Sequence, residues 1–223
     1  MSYTCVTLPL LLAFFLTGCG GGSSSSGSPP PPPVSDAISD DFERAALGGN
    51  WTIFNGDVAI INNSDIGVRT RTTTLLGLGI AAWSGTTFAA DQFSEAVISQ
   101  DVNPSADLQV FVRRRQSDGR RYGFFWQAGT SGGEWVLKLD GGAMPGIVLV
   151  TVPTAKPLPG DTIRIEVRGN SLRGFHNGQQ VISATDLTLT APGQPGVALN
   201  IARVLDSALP TPMFESWGGG SLR

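Results

Sequence analysis

The sequence predicts an all-β domain, an antiparallel sandwich or barrel, and two observations carry that prediction. Apolar residues almost never recur at the three- and four-residue spacing of an amphipathic helix. Short apolar or alternating runs are instead separated by Gly, Pro, Asn and Asp, and the chain contains 29 Gly and 15 Pro. Short strands with turn signals at this density are typical of sandwiches and barrels.

The predicted strands follow one another at short intervals. Residues 162–168 alternate most clearly, so Ile163, Ile165 and Val167 should face the core and the residues between them should face solvent. This one-sided pattern is typical of antiparallel sheets. In chain order the strands are predicted at Trp51–Phe54, Val58–Ile61, Ile66–Thr70, Leu78–Trp83, Glu95–Asp101, Leu108–Arg115, Tyr122–Gln127, Trp135–Leu139, Ile147–Val152, Thr162–Arg168, Leu172–His176, Gln180–Ala184 and Val197–Ile201.

Three turns should join neighbouring strands into hairpins. Asn177-Gly178 is a strong signal for a two-residue loop, because both residues tolerate the positive φ of a type I′ turn. Arg168-Gly169-Asn170 and Ser117-Asp118-Gly119 predict two further tight connections. Consecutive hairpins of this kind predict a meander.

The N-terminal segment differs in composition from the rest of the chain. Leu8–Leu16 is an apolar run of signal-peptide length, too short to span a bilayer as a helix. It ends in Leu16-Thr17-Gly18-Cys19, which resembles the lipobox of bacterial lipoproteins, so Cys19 is expected to be lipidated and to become the first mature residue. An ordinary secretory signal with a chance cysteine stays open, because Met1–Thr7 carries no Lys or Arg.

A low-complexity tract follows Cys19. Gly20–Pro33 reads GGGSSSSGSPPPPP, a flexible segment followed by a stiffer proline segment, and neither kind buries apolar surface. We therefore predict a signal peptide at 1–18, a lipidated Cys with a tether at 19–34 and one β-sandwich domain at 35–223. Residue Gly20 is not Asp, which by resemblance to the sorting of Gram-negative lipoproteins favours the outer membrane or cell surface. The predicted location is the cell envelope.

Charge and cysteine content exclude several classes of partner and site. The formal net charge is only −3, so no strongly basic field is available to attract nucleic acid. The two cysteines are Cys5 and Cys19, so residues 35–223 contain no thiol and must be stabilised by an apolar core. A single histidine and no domain cysteine also exclude metal sites built on those ligands.

Several motifs resemble concanavalin A-like lectin/glucanase domains, which are laminin-G-like jelly rolls. Asp40-Asp41-Phe42-Glu43-Arg44 with Asn50-Trp51-Thr52 is similar to the opening of that family. Gly160–Val167, His176-Asn177-Gly178 and Pro192–Val197 resemble its later strands and turns. The resemblance extends over about residues 40–199 and implies an all-β, two-sheet antiparallel jelly-roll sandwich. These motifs are turns and buried strands, so they imply a fold and no particular chemistry.

The implied fold hosts hydrolases and lyases as well as lectins, but the sequence lacks their motifs. Retaining glycosidases need two carboxylates about 5 Å apart, and the glucanases of this family resemble an E-x-D-x-E strand that is absent here. The related alginate lyases would need Gln-x-His, whereas His176 is preceded by Gly174-Phe175. No catalytic residue is therefore predicted, and a non-enzymatic role is favoured.

Asp40, Asp41 and Glu43 form the densest acidic cluster and have two interpretations. Calcium needs only oxygen ligands, and the resemblance implies a fold that often carries structural calcium, so these carboxylates are candidate calcium ligands. The alternative is an exposed acidic turn before the first strand of the family. No other cofactor is predicted.

The hairpin 113–126 combines aromatic rings with planar hydrogen-bond donors. Arg115, Arg121, Tyr122 and Trp126 are the candidate ligand-binding residues, because an aromatic face can stack on a sugar while guanidinium groups fix its orientation. Alternation places Tyr122, Phe124 and Trp126 on one face and Arg121, Phe125 and Gln127 on the other. It also places Val110, Val112 and Arg114 together, opposite Phe111, Arg113 and Arg115. The alternative is that the aromatics form the core and the arginines a solvated hairpin end.

These observations favour a lipid-anchored binding module of the cell envelope. Its expected partners are the membrane, through the lipid, and a polysaccharide or a glycosylated surface molecule. A polysaccharide-degrading enzyme of the same fold and a structural envelope lipoprotein without a small ligand are the alternatives.

Overall fold

The computed structural model describes residues 34–56, 58–68, 77–100, 106–128, 132–142, 146–201 and 213–223. Cys19, the predicted signal peptide and the tether up to Pro33 lie outside the described residues, as do the predicted strand ends at Thr70 and Asp101. Within the described ranges every regular element is a strand, which confirms the all-β prediction. No helix in this part of the chain is long and apolar enough to cross a membrane.

The described ranges contain fifteen strands. They are β1 (Val34–Asp40), β2 (Trp51–Asn55), β3 (Val58–Ile61), β4 (Asp65–Val68), β5 (Gly77–Trp83), β6 (Gln92–Ile98), β7 (Ala106–Arg114), β8 (Arg121–Gln127), β9 (Glu134–Asp140), β10 (Ile147–Pro153), β11 (Thr162–Arg168), β12 (Ser171–His176), β13 (Gln179–Thr185), β14 (Gln194–Ile201) and β15 (Phe214–Leu222).

The strands form two antiparallel sheets. The eight-stranded sheet has the order β13-β12-β11-β6-β15-β4-β3, with β1 also paired to β15. The seven-stranded sheet has the order β10-β9-β8-β7-β14-β5-β2. One large apolar cluster between the sheets contains most of the buried aromatic rings, among them Trp135 and Trp217. The two-sheet sandwich that the sequence predicts is therefore confirmed.

The predicted hairpins and faces are present where the alternation is clear. Ile163, Ile165 and Val167 are at most 1% exposed and belong to the core. Glu166 on the other face is only 2% exposed and bonded to Arg164, so the prediction that the residues between them face solvent is wrong at that position. His176 pairs with Gln179, and Asn177 and Gly178 both have positive φ, as a type I′ turn requires. Local sequence thus determines the β11–β12–β13 meander.

Two strands of the eight-stranded sheet were not predicted, β1 and β15. β15 contains Gly218-Gly219-Gly220, and glycine is depleted in strands because it adds no packing and costs conformational entropy. Here the glycines make room for rings: a Cβ on Gly219 would lie 2.4 Å from the Trp217 indole, and one on Gly220 would lie 2.8 Å from Phe93. Close packing of aromatic rings on the backbone explains why glycines occupy a central strand.

A β-bulge near the end of β7 changes which arginine faces the core. The register between β7 and β14 shifts there, and Arg113 has a φ of 50°. Arg113 reaches between the sheets and donates hydrogen bonds to the carbonyls of Ala90 (2.7 Å) and Leu189 (2.7 Å). The predicted grouping of Arg114 with Val110 and Val112 is therefore wrong, because simple alternation does not anticipate a bulge.

Candidate functional site

Two of the four hairpin candidates, Tyr122 and Trp126, are core residues. Tyr122 is fully buried and Trp126 is 3% exposed, and both belong to the cluster between the sheets. Phe124, which shares their face of the strand, belongs to the same cluster. The structure thus gives these aromatics the core role that the sequence left open as the alternative.

The Tyr122 hydroxyl connects β8 to the segment between β13 and β14. It donates a hydrogen bond to Asp186 Oδ1 at 2.5 Å and accepts one from the backbone N–H of Leu189 at 2.9 Å. Burial, together with the Asp186 hydrogen bond, raises the pKa of Tyr122 to about 12. Tyr122 is therefore uncharged, and its two hydrogen bonds link β8 to the segment before β14.

The two arginine candidates have different environments. Arg115 is exposed and paired with Asp118 across the hairpin turn. Arg121 is only 2% exposed, although it points away from the core on the outer face of the seven-stranded sheet. A buried guanidinium on an outer sheet face is unusual, because burying a charge is costly unless it is paired.

Arg121 belongs to a polar group that converges from three neighbouring strands. Its Nε donates to Gln109 Oε1 of β7 at 3.1 Å, and its Nη2 donates to Asp140 Oδ2 of β9 at 3.0 Å. Gln109 pairs in register with Phe125, and Arg121 pairs with Asp140, so these side chains share one face. They surround a cavity of about 160 Å³, here called the sheet cavity, lined by Leu78, Asp107, Gln109, Arg121, Phe125, Lys138, Asp140 and Ala198.

Glycine on β8 shapes the floor of the sheet cavity. A Cβ on Gly123 would lie 2.2 Å from Nε2 of Gln109, so the Gln109 amide lies flat across the strand only because residue 123 has no side chain. Arg121 also lies over the ring of Phe111, with Cζ 5.4 Å from the ring centroid. The polar groups are therefore fixed on a rigid sheet rather than on a loop.

Electrostatics keep Asp140, one of the two carboxylates that line the sheet cavity, ionised. Burial alone would raise the pKa of Asp140, but the charges of Arg121 and Lys138 lower it below its ordinary value. Burial lowers the pKa of Arg121, and the charge of Asp140 opposes that effect. Glycosidases need one carboxylic acid that stays protonated, and Asp140 does not have the environment for that role.

The turn that contains Asp40, Asp41 and Glu43, here called the acidic turn, is organised around the guanidinium of Arg44. Both oxygens of Asp40 accept hydrogen bonds from Arg44 at 2.6 Å, and Oδ2 also accepts one from the Trp51 indole at 2.7 Å. Burial alone would raise the pKa of Asp40, but hydrogen bonds from Arg44, Trp51 and the Phe42 backbone lower it. Arg44 thus occupies the position that a cation would need on Asp40.

Asp41 and Glu43 do not complete a metal site around Asp40. Asp41 accepts only the backbone N–H of Glu43 among the bonds described for it, and both side chains are exposed. Among the described residues, no group of three or more His, Cys, Asp or Glu side chains is placed to hold a metal ion. A calcium ion at this turn would have to displace Arg44, so the turn as it stands does not fit one. Calcium at Asp40, Asp41 and Glu43 stays a prediction from the sequence, to be decided by calcium titration.

The largest cavity described, about 600 Å³, lies beside the acidic turn. Its inner wall is formed by Trp51, Trp83 and Trp217, whose ring centroids are 4.8 to 5.6 Å apart and whose side chains are at most 7% exposed. The rings pack on one another, so none presents an open face for a sugar to stack on. Trp83 Nε1 is the one indole N–H of the three without a hydrogen-bond partner in the described structure. Asp40, Arg44, Asn50 and Glu95 also line this cavity, but Asp40 and Arg44 are already bonded to each other.

Comparison with known proteins identifies the fold. No family model matches the chain, and no curated protein matches its sequence. The carbohydrate-binding module CBM66 from Bacillus subtilis is similar over 78% of this chain and 93% of its own, with 18% identity and a TM-score of 0.52. Lectin II from Ulex europaeus is similar over 84% of this chain and 99% of its own, with 14% identity and a TM-score of 0.53. The β-glucanase of Bacillus licheniformis is similar over 84% of this chain and 98% of its own, with 10% identity and a TM-score of 0.55.

The chain has the concanavalin A-like jelly-roll fold. The resemblance seen in the sequence motifs is thereby confirmed at the level of the fold. At these identities the likeness concerns the fold alone, since one fold hosts many functions. Within this jelly roll, the convergent polar groups of the sheet cavity are the feature that any functional proposal must explain.

Sequence reasoning found one residue of the sheet cavity, Arg121, and missed its partners. Gln109 and Asp140 lie on separate strands, and their meeting depends on the register of β7, β8 and β9. The signal that could have found them is the polar set on the outward positions of three consecutive strands, since outward residues i and i+2 share a face. Lys138 and Asp140 of β9 follow that rule.

Proposed function

We propose that this protein is a non-catalytic carbohydrate-binding module held in the cell envelope by a lipid on Cys19. The observation that carries the proposal is the 2%-exposed Arg121, bonded to Gln109 and Asp140 beside a cavity on an outer sheet face. Planar amide, carboxylate and guanidinium groups bind hydroxyls in fixed directions. The cavity of about 160 Å³ corresponds to about five water molecules at about 30 Å³ each, which suits one sugar ring.

Structural neighbours with the same fold support a carbohydrate ligand. They include a carbohydrate-binding module, a lectin and a β-glucanase. A non-catalytic role is favoured because the E-x-D-x-E strand that the glucanases resemble is absent from the sequence. In addition, Arg121 and Lys138 keep Asp140 ionised, which leaves this carboxylate unsuited to donate a proton.

Binding is tested by glycan array followed by calorimetry on the full chain. Replacing Arg121 or Lys138 with Met should weaken binding of an array ligand by about 2 kcal/mol or more, roughly thirtyfold in Kd, because each removes a central polar contact. The matched control is Arg173→Met, an exposed arginine on β12 of the other sheet, which should leave Kd unchanged.

Three results would contradict the proposal. One is an array without any bound glycan. Another is a Kd unchanged in both cavity variants while their melting temperatures match the native protein. Shortening of a bound oligosaccharide during the measurement would favour the enzymatic alternative instead.

The anchor is supported by the lipobox-like sequence and by where the first strand begins. β1 starts at Val34, immediately after the proline run, and it lies in the eight-stranded sheet. The tether therefore joins the layer opposite the sheet that carries the sheet cavity.

Cys19→Ala is expected to release the protein from the membrane fraction, because the lipid would no longer be attached. Cell fractionation with immunoblotting measures this, and Ser23→Ala in the tether is the control that should remain membrane-bound. A Cys19→Ala protein that stays in the membrane fraction at full length would refute lipid anchoring.

A further inference from the structure

A second cavity, here called the loop cavity, lies beyond the end of β7. It has a volume of about 480 Å³, and Arg114, Gln194, Phe88 and Ser84 are among the residues that line it. Arg114 and Gln194 are partners in register on β7 and β14, so their side chains start from adjacent points of the seven-stranded sheet. The rim carries exposed hydroxyl and amide side chains, Thr86, Thr87 and Gln116.

Arg114 is buried without a counter-ion. It is 6% exposed, yet among the described residues neither its Nε nor its Nη1 has a hydrogen-bond partner. Its Cζ lies 3.2 Å from the centroid of the Phe54 ring, which holds the guanidinium plane but does not neutralise its charge. Burial, with the charge of Arg121 nearby, lowers the pKa of Arg114 to about 10, so the group stays charged at neutral pH.

The nearest acidic side chain is already occupied. Asp118 binds Arg115 and also accepts the backbone N–H of Arg120 at 3.1 Å. Burying a charged group without a partner costs several kcal/mol, whereas the neighbouring buried arginines Arg113 and Arg121 are both satisfied. Of the three buried arginines Arg113, Arg114 and Arg121, Arg114 is therefore the one that lacks hydrogen-bond partners for its guanidinium in the described structure.

Gln194 adds a hydrogen-bond acceptor without a partner to the donors of Arg114. Its Oε1 is buried and also lacks a partner in the described structure. Arg114 thus contributes two buried, unpartnered donors and Gln194 one buried, unpartnered acceptor, on adjacent strands at the wall of the loop cavity. A ligand that satisfies both must present an oxyanion and, close to it, a hydroxyl.

We propose that the loop cavity binds the carboxylate of an acidic sugar, a uronate residue of a polysaccharide, with Arg114 holding the carboxylate and Gln194 accepting a ring hydroxyl. A uronate carries both groups on one ring, and a planar carboxylate matches the two-pronged donor geometry of a guanidinium. This inference rests on the proposed carbohydrate-binding function and specifies the class of carbohydrate.

The test compares trigalacturonate with its fully methyl-esterified form, which has the same shape without the charges. Calorimetry on the full chain should give at least tenfold tighter binding for trigalacturonate. Arg114→Met should reduce that preference to about one while leaving the affinity for the ester unchanged. Arg173→Met, the matched exposed arginine on β12, should keep the preference.

The melting temperature provides a second measurement, and here the substitution of a buried residue is not expected to lower it. Arg114→Met should leave the melting temperature unchanged or raise it, because it removes an unpaired buried charge. Should this variant fail to fold, Arg114→Lys replaces it. Lys keeps the charge but loses the fork, so the preference for trigalacturonate should fall below the native value.

The outcomes separate this inference from the proposed function. A native preference of about one, or a full preference that persists in Arg114→Met or Arg114→Lys, overturns the uronate site. Acetate or inorganic phosphate that competes with trigalacturonate at equal concentration also overturns it, since the cavity would then bind free anions. A native protein that binds neither the acid nor the ester also overturns the uronate site, whereas the glycan array decides separately whether the protein binds carbohydrate at all.

Discussion

Trp126→Ala is expected to lower the free energy of unfolding by about 3–5 kcal/mol, the usual cost of removing a large aromatic side chain from a core. The side chain is 3% exposed and packs within the cluster between the sheets. A Cβ on Gly133 would lie 2.3 Å from the Trp126 ring, so the backbone of the neighbouring segment rests directly on the indole. Truncation would leave a cavity that this rigid contact cannot close.

Thermal denaturation measures the effect. A domain of about 190 residues loses about 2–4 °C for each kcal/mol, so the melting temperature should fall by about 6–20 °C. Leu187→Ala, at a side chain that is 70% exposed, is the control and should change stability by less than about 0.5 kcal/mol. A Trp126→Ala protein that melts normally but loses glycan binding would make Trp126 a ligand residue after all.

Tyr122 and Trp126 show why sequence reasoning could propose two core aromatics as ligand-binding residues. Alternation correctly separated Tyr122, Phe124 and Trp126 from Arg121 and Phe125. Alternation alone does not say which of two mixed faces is turned inward, because that depends on the sheet packed against it. The face with the aromatic rings became core, and the face with Arg121 became the cavity.

Arg113 and Arg114 show a second feature that the sequence could not predict, the bulge near the end of β7. A run of three arginines gives no sign of a bulge, and the φ of 50° at Arg113 is set by contacts with Gln92, Ala90 and Leu189, which lie far away in the sequence. The meander β11–β12–β13 was predictable because its turns are local. β15 was not, because its glycines are explained only by rings that pack on them in the folded sheet.

Asp40→Ala is expected to destabilise the fold by about 2–4 kcal/mol, somewhat less than breaking a fully buried ion pair, because the Arg44 side chain is partly exposed. The substitution would remove the acceptor of three groups at once: the Arg44 guanidinium, the Trp51 indole N–H and the backbone N–H of Phe42. Phe42 has a φ of 56°, an uncommon conformation for a bulky residue. The Asp40 carboxylate therefore holds a turn that would otherwise relax.

Asp41→Ala is the matched control and should cost less than about 0.5 kcal/mol, because that side chain is exposed. Calcium titration adds a separate readout: a native melting temperature that rises with calcium, and a response lost in Asp40→Ala, would favour a metal at this turn over Arg44.

The pH dependence should distinguish a carboxylate from a merely well-packed side chain. The pKa of Asp40 is lower in the folded protein than its ordinary value, so the stabilisation from its ionised form is fully present above the unfolded pKa of about 3.9. It is lost as the pH falls through the folded pKa. The stability difference between the native protein and Asp40→Asn should therefore be constant from pH 5 to 7 and shrink below about pH 4. A difference that stays the same at low pH would mean that shape, not the charge of Asp40, holds the turn.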